Sequence, residues 1–313
     1  MINFFKGLDK QINKHDNVII IGHKDPDLDC IGASLGLYKT IEKECYIFKT
    51  IDKINNSSKK AYELLKDINF ITKENYKEKI HNTLLIVVDL HRKQLLEYEE
   101  ILNEIKDVII IDHHIKSKDK IETILEYINQ TKSSATEIIT KYIKYKKKQI
   151  DKTTATIMLA GIEIDTNGYN MKTTKQTFLS SAWLMEMQAD NILKQNILKE
   201  NKQQYIKRTK QIEQSYTIGN IIICPLDNHP YNPSYLATLS EDLLRFENIE
   251  ASFTIGYITP NKIGISARSL GNINVEKHMA NLGGGGHLTD AACQFENKTI
   301  KEVEQILKEE LNK

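Results

Sequence analysis

The chain has 313 residues, 40% hydrophobic and 27% charged, and its 43 basic and 42 acidic side chains leave a formal net charge of +1. That length can bury a large core and points to two domains. The charge balance argues against long nucleic acid as the main partner, while a small anionic substrate on a local patch remains open.

No apolar run approaches a membrane span, and the start, MINFFKGLDKQINKHDN, has no apolar stretch of signal-peptide length, so a cytoplasmic protein with no membrane partner is expected. Cys30, Cys45, Cys224 and Cys293 show no CxxC spacing, which indicates neither a disulfide scaffold nor a zinc knuckle. The basic residues are 39 lysines and only four arginines, Arg92, Arg208, Arg245 and Arg268. In so lysine-rich a chain an arginine hints at a task that needs the planar fork.

In chain order, the continuous apolar runs at 17–22, 45–49, 83–88 and 107–112 read as strands covered on both faces. Amphipathic stretches at 31–43, 58–67 and 92–105 alternate with them, and helices follow at 133–148 and 152–166. This alternation predicts an α/β fold, a doubly wound and mainly parallel sheet over 1–185. Residues 186–215, polar and lysine-rich without Gly or Pro, read as a helical linker. Strand-like runs, a glycine cluster and a helix at 298–311 make 216–313 a smaller α+β domain.

Chemistry concentrates where the predicted strands end. The first delivers His23, Asp27 and Asp29, the strand at 83–88 delivers Asp89, and the one at 107–112 delivers Asp112, His113 and His114. The helix from 152 ends at Asp165. In a parallel sheet these ends gather on one edge. Carboxylates crowded this closely repel and are costly to bury without a cation. Imidazole and carboxylate donors without thiols suit Mn²⁺, with Mg²⁺, Co²⁺ and Fe²⁺ as rivals. Six such side chains out of these eight would already exceed one ion and fit two with a bridging carboxylate, the arrangement that serves phosphoryl transfer.

The ordered set His23-x-x-Pro26-Asp27-x-Asp29, Gly32-x-Ser34-x-Gly36, Asp89, Asp112-His113-His114 and Asp165-Thr166 resembles the motifs of the DHH phosphoesterase family. The stretch SARSLGNINVEKHMANLGGGGH at 266–287 resembles the DHH-associated substrate domain. Within the family, VVDLHR (87–92), DTNGYNMKTTKQTF (165–178), EASFTIGY (250–257) and GISARSLGNINV (264–275) look most like the catalytic region of GdpP-type cyclic-di-AMP phosphodiesterases, in a form without their membrane helices and sensory domains.

The resemblance implies two Mn²⁺, one held by His23, Asp27 and Asp89, the other by Asp29, Asp89, His113 and Asp165, with Asp89 as bridge. It also implies in-line attack on phosphorus by a metal-bound hydroxide, with His114 near the phosphate or leaving oxygen and Asp112 orienting an imidazole. Ser266, Arg268 and Ser269 are expected to grip a phosphate. Gly283, Gly284, Gly285 and Gly286 offer close-approaching N–H groups, and His287 adds a donor. Arg92 is a further candidate substrate contact, while His91 beside it reads equally well as a solvated helix start.

The expected activity is hydrolysis of cyclic di-AMP to pApA, and onward to AMP. The alternative is a nano-RNase and 3′-phosphoadenosine 5′-phosphate phosphatase acting on short linear substrates. A non-catalytic nucleotide sensor should have lost ligands, and every expected one is present. A homodimer is compatible with the sequence.

Overall fold

The computed structural model describes residues 1–49, 54–117 and 119–312. The chain divides into two compact units, Met1–Glu200 and Asn201–Lys313. The first contains strands β1 (Asn17–Ile21), β2 (Glu44–Phe48), β3 (Phe70–Ile71), β4 (Thr83–Val88), β5 (Val108–Asp112) and β6 (Leu125–Ile128). Its helices are α1 (Ile2–Lys14), α2 (Leu28–Thr40), α3 (Asn56–Leu64), α4 (Ile101–Glu104), α5 (Ala135–Tyr145), α6 (Lys152–Asp165), α7 (Lys175–Glu186) and α8 (Asn191–Leu198).

The six strands pair in the order β3-β2-β1-β4-β5-β6, and every pairing is parallel. Period-two alternation divides the apolar residues between two cores. Val18, Ile20, Leu84, Ile86, Val88, Ile109 and Ile111 pack on one face with residues of α1, α2, α5 and α6. Ile19, Ile21, Leu85, Val87, Val108 and Ile110 face the other way, toward Tyr46, Phe48, Tyr76 and Leu96. This double covering explains the unbroken apolar runs, and it bears out the predicted doubly wound sheet.

The expected helix at 92–105 does not form. A 3₁₀ turn at Lys93–Leu95 and the single turn α4 stand there instead. Leu96, Ile101 and Ile105 are buried at a spacing that mimics a helical stripe, but they anchor a winding connection. Conversely, α1 was not foreseen, although it buries Phe4, Phe5, Leu8 and Ile12 along one face.

The second unit contains α9 (Lys202–Ile212), α10 (Pro233–Leu243), α11 (Val275–Asn281) and α12 (Ile300–Leu311). Its strands are β7 (Tyr216–Ile218), β8 (Ile221–Pro230), β9 (Ala251–Thr259), β10 (Lys262–Ser269), β11 (Gly285–Gly286) and β12 (Asp290–Glu296). They form one mixed sheet in the order β11-β12-β10-β9-β8-β7, parallel only between β8 and β9. The polar stretch at 186–215 holds two separate helices, α8 and α9, and the unit boundary falls between them. Among the described residues no helix is long and apolar enough to cross a membrane.

Candidate metal centre

The strand order reverses direction at β1, which lies between β2 and β4. Connections leaving β1 and β4 therefore diverge, opening a crevice outside their carboxyl ends. His23 follows β1 and Asp89 follows β4, one on each side of that point. Asp89 is held at φ 64°, a left-handed conformation that a short polar side chain tolerates, and its N–H donates to the Ile111 carbonyl at 2.9 Å.

Helix capping places the next two carboxylates. Asp27 is the N-cap of α2, and its Oδ1 accepts from the N–H groups of Asp29 (2.9 Å) and Cys30 (3.0 Å). Asp29 is fully buried. Its two oxygens accept from the N–H groups of Ala135 (2.7 Å) and Thr136 (2.8 Å). These are the first amides of α5, which have no partner within their own helix. Asp29 thus joins the starts of two helices. Asp165 closes α6, and α6 lies so close to α2 that a Cβ at Gly161 would stand 2.6 Å from the Leu28 carbonyl and 2.9 Å from the Asp29 Cα.

The side chains converge. His23 Nε2 lies 3.5 Å from Asp89 Oδ2 and 3.9 Å from Asp27 Oδ1. His113 Nε2 lies 3.2 Å from Asp89 Oδ1, 2.9 Å from Asp165 Oδ2 and 3.8 Å from Asp29 Oδ2. Asp89 therefore faces both imidazoles, one with each oxygen. His23 Nδ1 is 2.7 Å from the Lys24 carbonyl, and a carbonyl can only accept. The proton of neutral His23 thus sits on Nδ1, leaving the Nε2 lone pair directed at the carboxylates.

Two of these atoms, Asp89 Oδ1 and His113 Nε2, are buried with no hydrogen-bond partner, which is costly unless something else meets them. Asp29, His113 and Asp165 can bring donor atoms within 4.8 Å of one another, as can Asp89, His113 and His114, and His23, Cys30 and Asp89. The orphaned atoms and the imidazole–carboxylate donor set fit a metal ion. Cys30 is buried in the core on the α2 face of the sheet, with its Sγ also within reach of His23 and Asp89.

Without a cation, protons must neutralise the cluster. Burial by itself would lower His23 and His113, yet the surrounding carboxylates hold both well above the usual imidazole value. Burial, reinforced by the charges of Asp89 and Asp165, pushes Asp29 well up, and burial raises Asp165. Asp89 goes the other way: burial opposes its ionisation, but the imidazoles of His113 and His23 beside it keep it below the usual carboxylate range.

Asp112 stands behind the cluster. Its Oδ1 accepts from His114 Nδ1 at 2.7 Å and from the His114 N–H at 3.1 Å. His114 is part-exposed, so its Nε2 is the ring nitrogen left for a ligand. Burial works against both charges of this pair. Even so, the contact holds Asp112 low and His114 above the ordinary imidazole value. The other Asp112 oxygen faces His91, which is buried, not the solvated helix start its sequence allowed. Arg92 beside it is exposed.

The remaining expected contacts lie in the second unit. Arg268 Nε is 3.1 Å from Glu241 Oε1 and 3.2 Å from Asp290 Oδ1, while Nη1 donates to the Ala267 carbonyl at 3.0 Å. Ser266 and Ser269 are buried, Ser269 Oγ donating to the Leu288 carbonyl at 3.2 Å. The amides of Gly283 and Gly284 close α11 by donating to Ala280 and Met279, while Gly285 and Gly286 pair with β12. A Cβ at Gly284 or Gly286 would strike the β12 backbone at 2.1 or 2.3 Å. Close strand packing therefore already demands glycine there, whatever else binds. His287 follows this strand. Arg208 and Arg245 both pair with Asp242, so two of the four forks are spent inside this unit.

Comparison with known proteins gives these features a lineage. A cyclic-di-AMP phosphodiesterase, GdpP, of Geobacillus thermodenitrificans is 36% identical over 96% of this chain and 48% of its own length. The bifunctional oligoribonuclease and PAP phosphatase NrnA of Mycoplasma genitalium is 27% identical over 95% of this chain and 93% of its own. The chain spans about half the length of the first relatives it matches. The crystal structure of an exopolyphosphatase-related protein from Bacteroides fragilis superposes with a TM-score of 0.83 at 19% identity, covering 100% of this chain and 96% of that one. Residues 17–162 match the DHH family, N-terminal domain, and residues 219–313 the DHHA1 domain, so the chain carries a DHH domain followed by a DHHA1 domain.

Proposed function

We propose that the chain is a manganese-dependent phosphodiesterase of the cytoplasm that opens cyclic di-AMP to pApA and carries the product on toward AMP. The observation that carries the chemistry is the pair of buried, partnerless atoms on Asp89 and His113, encircled by His23, Asp29 and Asp165. His23, Asp27 and Asp89 would hold one ion and Asp29, Asp89, His113 and Asp165 the other. Bound there, the ions would supply Lewis-acid polarisation of the phosphoryl oxygens and a nucleophile at neutral pH.

The chain's own groups do the rest. Asp29, locked by two amides, fixes the first turn of α2 and with it Asp27. Asp112, accepting from His114 Nδ1–H, favours the charged imidazolium, whose Nε2–H donates to the phosphate or gives its proton to the departing ribose oxygen. Ser266, Arg268, Ser269, His287 and the segment Gly283–Gly286 serve substrate phosphate in a domain spanning 216–313, after a catalytic domain over 1–185 and a linker over 186–215. Arg92 is a further phosphate contact. The substrate assignment is supported by relatives named as cyclic-di-AMP phosphodiesterases at 33–36% identity.

The second reading, a nano-RNase and 3′-phosphoadenosine 5′-phosphate phosphatase, is favoured by a relative of that name matched over 93% of its own length. Turnover of cyclic di-AMP, pApA and 3′-phosphoadenosine 5′-phosphate at equal concentration, with Mn²⁺, Mg²⁺, Co²⁺ and Fe²⁺ in turn, separates the two. Cyclic di-AMP is expected to be turned over best; finding it the poorest would overturn the first reading.

A further inference from the structure

His91 is 2% exposed and Asp112 is fully buried. His91 Nδ1 lies 2.5 Å from Asp112 Oδ2, and His91 Nε2 lies 2.9 Å from the N–H of Ser117. A backbone amide can only donate, so Nε2 must carry the lone pair and the ring's proton must sit on Nδ1. The hydrogen-bond pattern therefore fixes both tautomer and direction: Ser117 donates to His91, and His91 donates to Asp112. The opposite oxygen of Asp112 is taken by the N–H and the Nδ1 of His114. Three donors on one buried carboxylate leave it a single orientation.

Topology makes the link efficient. His91 lies two residues beyond Asp89, on the connection leaving β4, and Asp112 ends the neighbouring β5. Ser117 lies on the chain leaving β5, and the His91 carbonyl accepts from the Ile121 N–H at 2.9 Å. One ring is thus secured to both strand ends and to the returning loop.

We infer that His91 is a positioning residue: as a neutral Nδ1–H imidazole it fixes the carboxylate of Asp112, which in turn holds His114 with its proton on Nδ1 and its Nε2 directed outward. This inference rests on the proposal that His114 Nε2 serves the phosphate. Orienting partners of this kind are worth about tenfold to a hundredfold in activity. A plain packing role would make no distinction between the two ring nitrogens, whereas the relay depends on Nδ1.

Two amide replacements separate the possibilities. Asn sets its NH₂ near the position of Nδ1 and can still donate to Asp112, while Gln reaches the position of Nε2 and can still accept from Ser117. His91→Asn, His91→Gln and His91→Phe are compared for kcat and KM, with thermal melting as a check on folding. The ¹⁵N shifts of the His114 ring are recorded in each metal-free full-length protein. Retained kcat in Asn, with a drop of about tenfold or more in Gln and Phe at little changed KM, is expected. Recorded at a pH high enough for His114 to be neutral, the shifts should report Nδ1–H in wild type and Asn, moving toward the mixture of free imidazole in Phe. Gln outperforming Asn would overturn the inference by placing the effect at Ser117. Unmoved His114 shifts in His91→Phe would overturn it whatever the rates do. Full activity of His114→Ala would instead sink the role given to His114, a result the shifts alone do not produce.

Discussion

Asp29 and Asp89 sit in one cluster, yet their backbones assign them different work. Asp29 meets the first two amides of α5 with its two oxygens, so its side chain contributes to folding even before an ion arrives. Asp89 Oδ1 has no hydrogen-bond partner, so its charge is held for a ligand. Asparagine should expose the difference. In Asp89→Asn the left-handed backbone is still tolerated, its N–H still donates to the Ile111 carbonyl, and only the facing of a carboxylate to His23 and His113 is lost. The metal-free melting temperature should stay near wild type while Mn²⁺ affinity by calorimetric titration and turnover fall at least a hundredfold. Asp29→Asn turns an NH₂ toward a backbone N–H and should cost about 1–3 kcal/mol of stability, the penalty of leaving a buried donor unpaired, read by urea unfolding. Equal stability losses in the two variants would contradict this division. Arg268 poses a similar contrast: its fork is steadied by Glu241 and Asp290, and Arg268→Lys exchanges it for a point charge. KM for cyclic di-AMP should rise about tenfold with kcat little altered; an unchanged KM would remove Arg268 from the phosphate.

Helix α2 brings its small residues to α6. A Cβ on Gly161 would press on Leu28 and Asp29 backbone atoms that cannot swing aside, so Gly161→Ala must part the helices. Overpacking of this kind costs about 1–3 kcal/mol, and it would displace Asp29 as well. A lower urea midpoint together with weakened Mn²⁺ binding is expected; a destabilised variant with wild-type affinity would show that the contact only packs. The elements legible in the sequence were those with one dominant environment. Strands β1, β2, β4 and β5, buried on both faces, appear as unbroken apolar runs, and α5 and α6 carry their capping residues Ser134 and Asp151. Strand β6, half-buried throughout, and the two-residue β3 leave too little pattern. The candidate ligands were legible because each lies just beyond a strand, at the start of α2 or at the end of α6. His91 was not, since what defines it is a contact with Asp112, 21 residues away and across two strands.

For the whole molecule, the two units carry separate cores, and the proposed ligands all come from the first. Binding to a folded state stabilises it by RT ln(1 + [L]/Kd), about 2.7 kcal/mol at a hundredfold excess over Kd, and local opening in that state is suppressed where the ligand ties elements together. Six candidate ligands draw on β1, α2, β4, β5 and α6, so Mn²⁺ should act as a clasp over chain ends otherwise held apart by like charges. Hydrogen exchange of the full chain with and without Mn²⁺ reads this directly. Slowed exchange is expected in peptides covering His23–Cys30, Asp89–Arg92, Asp112–Ser117 and Ile162–Thr166, and also in the first turn of α5, which contains no proposed ligand but is bound by Asp29. Residues 201–312 should exchange at the same rate in both conditions. Protection that spares the α5 start would mean that Asp29 does not transmit the metal's hold to that helix. Protection concentrated at Gly283–His287 would move the principal metal site out of the β1–β4 crevice altogether.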